Sequence, residues 1–101
     1  MLEKGRICFV GEVTSGVSTR TGEVWKSVEF AIDTIHERYP RKVAFTLFGE
    51  EKIKNAALLV GMDIDVYFYP VSHSYNGNWY TELRVTDIQQ GQRSILVAPL
   101  I

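Results

Sequence analysis

The fold is indicated most clearly by residues 43–68, VAFTLFGEEKIKNAALLVGMDIDVYF, because the spacing of the apolar residues changes twice within them. Within residues 42–48 every second residue, at positions 43, 45 and 47, is apolar and lies on the same face, as in a strand with one buried side. Within residues 50–60 the apolar side chains instead recur at i, i+3, i+4 and i+7 from Ile53, which predicts a helix ending at Gly61. Alternation with period two resumes after Gly61. This order predicts a strand, a short helix and another strand.

The sequence on both sides of this stretch adds further strands and one tight turn. Alternation predicts strands over Gly5–Val17, Val24–Ile32, Met62–His73 and Trp79–Ile88. Between the last two, the Asn-Gly pair at residues 76–77 is typical of a two-residue hairpin turn, since both residues tolerate positive φ. Three strands, one helix and two hairpin-connected strands are the order of an OB-fold, a five-stranded Greek-key barrel with one helix between strands three and four. We therefore predict an all-β OB-fold domain over residues 1–90 and an apolar C-terminal extension over residues 91–101.

The composition fits a single globular domain. The chain has 101 residues, of which 46% are hydrophobic. No apolar run is long enough to span a membrane, and the N-terminus lacks the apolar core of a signal peptide. The lone cysteine, Cys8, excludes an intrachain disulfide framework, so we expect a reducing, cytoplasmic location. A net charge of −1 argues against a strongly basic surface, so a nucleic-acid site would need a local positive groove.

Catalytic and metal-binding chemistry finds little support in the sequence. Cys8 lies far from His36 and His73, and a buried structural thiol is the simpler interpretation. Asp63 and Asp65 share one strand face without a third ligand nearby, which favours a solvated face over a metal site or an acid–base pair. No glycine-rich phosphate loop and no zinc-ligand spacing occur. We therefore predict a protein that is not an enzyme and uses no cofactor, metal or small-molecule substrate.

Aromatic side chains occupy strand faces that the apolar core pattern leaves free. These side chains are Trp25, Phe48, Tyr67, Tyr69, Tyr75 and Tyr80, whereas Trp79 falls on the predicted core face of its strand. The lysines and arginines interleaved with them are Arg20, Lys26, Arg38, Arg41, Lys42 and Arg84. Rings flanked by cations suit single-stranded nucleic acid, because unpaired bases stack on rings and phosphates pair with Lys and Arg. Exposed aromatics also occur on barrels without a ligand and at subunit interfaces, so these alternatives stay open.

The ordered series of motifs resembles the bacterial single-stranded DNA-binding proteins over residues 5–89. The resemblance rests on the opening strand ICFVGEVTSG, the central block at residues 43–68, and the hairpin and last strand SYNGNWYTELRVTDI. A short, largely uncharacterised OB-fold family resembles the chain more closely still. Its shared patterns are Tyr-Pro-basic-Lys at residues 39–42, Phe-Thr-Leu-aromatic-Gly at residues 45–49 and Tyr-Asn-Gly-polar-Trp-Tyr-Thr at residues 75–81.

The resemblance implies roles for three positions, Phe48, Tyr75 and Lys42, whereas the role of Trp25 is inferred from its strand face and exposure only. Phe48 matches the family's strand-three aromatic that stacks on a base, and Tyr75 stands where the family has an aromatic on the arm between strands four and five. Lys42 occupies a position that is often aromatic in the family, which implies a phosphate contact in place of a stacking one. Trp25 lies earlier in its strand than the family's usual stacking tryptophan. The chain ends in APLI, whereas the family usually carries a long tail with an acidic tip, so recruitment of partner enzymes is in doubt.

These observations together predict sequence-tolerant binding of single-stranded DNA in replication, recombination or repair, by a homodimer or homotetramer. Bases are expected to stack on Trp25, Phe48, Tyr75 and Tyr80, and phosphates to be neutralised by Arg20, Lys26, Arg38, Arg41, Lys42 and Arg84. The sequence does not distinguish DNA from RNA, since recognition of the 2′-hydroxyl leaves no signature. The alternative is a protein-interaction or oligomerisation module that uses the same aromatic face without binding nucleic acid.

Overall fold

Six strands and one helix make up residues 1–34 and 37–90, which are the residues that the computed structural model describes. In chain order they are β1 (Leu2–Val10), β2 (Thr14–Val17), β3 (Val24–Asp33), β4 (Lys42–Phe48), α1 (Glu50–Ala56), β5 (Asp63–Tyr75) and β6 (Asn78–Gln90). The predicted C-terminal extension, residues 91–101, lies outside the described residues, as does His36.

The strands form one sheet that closes on itself. The order is β1-β5-β6-β4-β3-β2, and an additional pairing of β1 with β3 joins the two sides. The pairings are antiparallel except that of β4 with β6, whose register places Thr46 beside Arg84. Together with α1 between β4 and β5, this arrangement confirms the predicted OB-fold.

The predicted first strand is two strands, and this raises the strand count from five to six. Both β1 and β2 lie along the same edge of β3, β1 beside residues 30–33 and β2 beside residues 24–27. Between them, the Gly11 N–H donates a 2.8 Å hydrogen bond to the Glu29 carbonyl. An added β-carbon at Gly11 would lie only 3.0 Å from that carbonyl oxygen, so glycine permits the close approach at the break.

The helix ends earlier than its apolar spacing predicts. It stops at Ala56, and Ala57 takes the left-handed conformation (φ 46°) while its N–H donates to the Ile53 carbonyl. Ending the helix here lets Leu58 pack against the core. Gly61, the predicted end, has φ 98° and instead leads into β5, where its N–H donates to the Ile7 carbonyl. No helix in residues 1–34 and 37–90 has the length and apolarity needed to cross a bilayer.

The core is built from alternate residues of five strands. Its buried side chains are Ile7, Val28, Phe30, Ile32, Phe45, Leu47, Ile64, Val66, Phe68 and Val85. The centroid of the Phe45 ring lies 5.5 Å from that of Phe30 and 5.0 Å from that of Phe68. Phe45 on β4 therefore links β3 with β5 in the core. The opposite side of the sheet, which carries Phe48 and Arg84, is called the outer face below.

The hairpin of β5 and β6 continues past the core. Residues 72–81, called the arm below, are exposed without exception, and the molecule is 54 Å long as a result. At the tip, Asn76 (φ 51°) and Gly77 (φ 78°) form the predicted turn. The prediction that Trp79 faces the core is wrong. Its side chain is 74% exposed, because its strand has left the barrel before this residue is reached.

Candidate nucleic-acid interface

Three aromatic side chains and one arginine lie on the outer face of four neighbouring strands. They are Trp25 on β3, Phe48 on β4, Tyr69 on β5 and Arg84 on β6, called the central cluster below. The cross-strand partners are Thr46 and Tyr69 for Arg84, and Ser27, two residues beyond Trp25, for Phe48. All three rings are between a third and a half exposed. The cluster therefore offers ring surface to a ligand on one face of the sheet.

Trp25 is held in place by the edge strand β2. Its cross-strand partner is Gly16, and a β-carbon at Gly16 would overlap the indole ring. Next to it, the Thr14 and Ser27 hydroxyls lie 2.9 Å apart and hold β2 against β3. Glycine at position 16 thus lets the indole lie across the neighbouring strand, with one face against protein and the rest open to solvent.

Arg84 lies against the ring of Phe48. The guanidinium carbon is 4.9 Å from the ring centroid, within the range of a cation–π contact. One terminal nitrogen lies 3.6 Å from a carboxylate oxygen of Glu82, and the Nε atom is buried without a hydrogen-bond partner among the described residues. The same Glu82 oxygen lies 3.7 Å from Nε2 of His73. Among the described residues, the ion pair with Glu82 is longer than a standard hydrogen bond, so this guanidinium is only loosely paired.

The arm carries aromatic side chains on both of its faces. Tyr80 pairs across the strands with His73, in the register of the outer face, whereas Trp79 pairs with Ser74 in the opposite register. Tyr75 stands beside the turn, and all three rings are more than half exposed. The sequence has no lysine or arginine between residues 55 and 83. The arm can therefore stack on bases but adds no permanent positive charge.

Two of the predicted phosphate-binding lysines form ion pairs. Lys42 lies 2.7 Å from its cross-strand partner Asp33, and this hydrogen bond raises the pKa of Lys42. The pair sits at the far end of β4 from Phe48, about 20 Å along the strand. Lys26 lies 3.0 Å from Glu50 and is directed toward α1 rather than toward the central cluster.

Arg41 forms surface ion pairs at one end of the barrel and is not brought to the central cluster. Its guanidinium lies 2.8 Å from Glu37 and 2.9 Å from Glu3 on β1, and its backbone contacts Thr34. The hydrogen bond from Arg41 lowers the pKa of Glu37, and the two carboxylates raise the pKa of Arg41. Because the Arg41 guanidinium already donates hydrogen bonds to both carboxylates, few of its N–H groups remain for a phosphate.

The remaining two predicted cations lie in exposed connections. Arg20 is in the turn between β2 and β3, and Arg38 stacks 5.6 Å from the ring centroid of Tyr39 in the connection that precedes β4. Neither has a carboxylate within 4.0 Å in the described part of the chain. They are the predicted cations with most freedom to reach a phosphate.

Sequence reasoning left Tyr69 out of the predicted site and did not single out Phe9. Tyr69 alternates with buried Phe68, so its outward position was visible in the pattern. Phe9 is half-exposed on the outer face beside Ala31, because a bulge at Cys8 breaks the alternation after Ile7. A shallow groove of about 500 Å³, lined by Phe9 and Thr46 among others, leads from Phe9 toward the central cluster.

One known protein family matches almost the whole chain. A family model described as a domain of unknown function (DUF3127) matches residues 3–89. The chain is a DUF3127 protein. No curated protein matches it.

Solved structures similar to this DUF3127 protein share its barrel. The mitochondrial single-stranded DNA-binding protein Rim1 of S. cerevisiae has a TM-score of 0.63 at 22% identity, over 89% of this chain and 91% of that chain. The dimeric N-terminal domain of PriB from Thermoanaerobacter tencongensis has 0.63 at 13%, over 90% and 93%. The small single-stranded DNA-binding protein of Streptomyces coelicolor has 0.54 at 12%, over 93% and 94%. At these identities the comparisons establish the shared OB-fold.

Proposed function

We propose that this DUF3127 protein binds single-stranded DNA with little sequence preference, across the outer face and along the arm. The observation that carries the proposal is the central cluster, where three partly exposed rings and an arginine whose Nε atom has no partner among the described residues share one face of the sheet. The proteins from S. cerevisiae and Streptomyces coelicolor that share the fold are single-stranded DNA-binding proteins. Their function supports the proposal by analogy of fold.

The mechanism is stacking of unpaired bases. Rings of the central cluster take the bases that cross the barrel, and Tyr80 and Tyr75 take those that follow the arm. Each stacked base contributes about 1–3 kcal/mol, largely independent of its identity, because every base has a π-face. Duplex DNA binds poorly in this scheme since its bases are already stacked on one another.

Phosphate contacts contribute less than in a basic homologue. Lys26 and Lys42 are paired with carboxylates at 3.0 and 2.7 Å, and Arg41 is paired with two. The proposed phosphate ligands are therefore Arg84, Arg20 and Arg38, with Lys42 available where a strand displaces Asp33. Stacking carries most of the affinity.

Quenching of intrinsic fluorescence by oligo-dT tests the proposal. Trp25 and Trp79 are both exposed enough to contact bases, so we expect strong quenching at low salt. The logarithm of the association constant should fall with the logarithm of salt concentration with a slope of about −1.4 to −2, from about two or three phosphates at 0.7 each. No quenching at low salt by the folded protein would remove the proposal. A slope steeper by up to about 1.4 would instead show that the two ion-paired lysines contribute, at about 0.7 each.

The process served is protection or presentation of single strands in replication, recombination or repair. RNA of the same length is the natural competitor, because the stacking scheme contains no element that reads the 2′-hydroxyl. Parallel titrations with oligo-dT and oligo-U measure the preference directly.

Self-association is the second part of the proposal. An apolar groove of about 370 Å³ lies between the end of β1 and α1, lined in part by Val13, Ile53 and Leu59. The side chains of Val13 and Leu59 are more than half exposed, which is typical of an interaction surface. We propose that this groove contacts a second copy of the chain, in a homodimer or homotetramer.

Light scattering measures this association. The wild-type chain is expected to have at least twice the monomer mass, and Leu59→Asp to reduce it because a charge is buried at the contact. A monomeric wild-type chain would rule out self-association. The groove also favours the alternative function, an interaction module without nucleic-acid binding, and an oligomer that fails to quench with oligo-dT would establish it.

A further inference from the structure

Arg84 covers a ring face that a base would need. Its guanidinium carbon lies 4.9 Å from the centroid of Phe48, and only 37% of the Phe48 side chain is exposed. Base stacking requires one open ring face. In the free protein, therefore, the side chain proposed to bind a phosphate also blocks the ring at the middle of the site.

The contact of Arg84 with Phe48 is weakly held. A buried N–H without an acceptor is unfavourable, and the Arg84 Nε atom is of this kind. The nearest carboxylate, that of Glu82, lies 3.6 Å away, beyond the length of a good hydrogen bond. The cation–π contact and the long ion pair with Glu82 hold the guanidinium, and both are weak at a site where the side chain is 33% exposed.

A phosphodiester offers the guanidinium what it lacks here. Two phosphate oxygens can accept a bidentate pair of hydrogen bonds from a guanidinium, in addition to the charge attraction. Competition from other cations is small, because no lysine or arginine occurs between residues 55 and 83 and Lys26 and Lys42 are already paired. Arg84 is thus the cation placed between the barrel and the arm.

We infer that Arg84 is a self-blocking side chain that single-stranded DNA displaces. In the free protein the guanidinium covers Phe48. On binding, it leaves the ring for a phosphodiester, and a base takes its place on Phe48. This exchange rests on the proposed function. It makes Arg84 a regulator of access to the central cluster as well as a phosphate ligand.

The exchange gives Arg84→Met an unusual salt dependence. The variant loses one phosphate contact, so its salt slope should be shallower by about 0.7. It also has an uncovered Phe48, which favours binding at every salt concentration. We expect it to bind oligo-dT about threefold more weakly than wild type at 50 mM salt and at least as tightly at 500 mM, because a slope difference of 0.7 changes the ratio about fivefold per decade. Arg84→Lys, which keeps the charge, should keep the wild-type slope.

Side-chain NMR of Arg84 in the wild-type protein gives a readout that needs no variant. The Arg84 δ protons should be shifted by the Phe48 ring current in the free protein, and this shift should disappear when oligo-dT is added. A shift that persists in the complex, or binding curves of Arg84→Met that lie below wild type in parallel at all salt concentrations, would overturn the exchange. Absence of any oligo-dT binding by wild type would instead overturn the proposed function, with the free-state shift still observed.

Discussion

Phe48→Ala is expected to bind single-stranded DNA about 5- to 150-fold more weakly than the wild-type chain and to remain folded. The ring lies on the outer face at the end of β4 and is more than a third exposed, so its loss opens no cavity in the core. The expected loss of about 1–3 kcal/mol is that of one stacked base. Fluorescence anisotropy of labelled oligo-dT measures the affinity, and circular dichroism verifies the fold.

Phe48→Tyr is the matched control for this result. It keeps a flat ring at the same position, so its affinity should stay within about threefold of wild type, well under the loss of a stacked base. If Phe48→Ala binds as tightly as Phe48→Tyr, the ring is a bystander. If Phe48→Ala unfolds, the ring belongs to the core and the placement of the site is wrong.

Phe45→Ala is expected to show the opposite behaviour, with a loss of about 3–5 kcal/mol in the free energy of unfolding. Phe45 lies three residues before Phe48 on β4, but it faces inward and is 1% exposed. Its ring contacts those of Phe30 and Phe68, so truncation leaves a cavity between both halves of the barrel. Urea denaturation should show a lower midpoint with an unchanged m-value.

Phe45→Leu provides the comparison, because it fills most of the cavity and should cost clearly less than Phe45→Ala. A loss below about 1 kcal/mol for Phe45→Ala would contradict the described core, since full burial of an aromatic side chain contributes more than that. Binding by the folded fraction should be unchanged in both variants.

The fold was largely predictable because it depends on local periodicity. Alternation and helical spacing over residues 43–68 place β4, α1 and β5 in the right order. The helix end could not be predicted, since the apolar spacing continues to Val60 while the core needs Leu58 in a non-helical position. The break between β1 and β2 depends on pairing with β3, which is a tertiary contact.

The candidate site was predictable only in part. Alternation placed Trp25 and Phe48 outside the core, as the structure has them. It placed Trp79 inside because periodicity gives the face of a strand and not the point at which that strand leaves the barrel.

The ion pairs also could not be predicted from the sequence. Lys26 and Glu50 are 24 residues apart in the chain, and Arg41 and Glu3 are 38 apart. Six of the ten lysines and arginines in residues 1–34 and 37–90 lie within 4.0 Å of a carboxylate, so the fold neutralises much of their positive charge. For this reason the proposed binding, which relies mainly on stacking, is expected to depend only weakly on salt.

Competition between single-stranded and duplex DNA tests directly whether the protein binds unpaired bases by stacking. The measurement follows the anisotropy of labelled oligo-dT at low salt while unlabelled duplex or unlabelled single strand is added. We expect the single strand to displace the probe at concentrations near its own dissociation constant. The duplex should displace it at least about tenfold less effectively, because paired bases offer no free π-face. Equal competition by the duplex, or no binding of oligo-dT by the folded protein, would contradict binding by stacking.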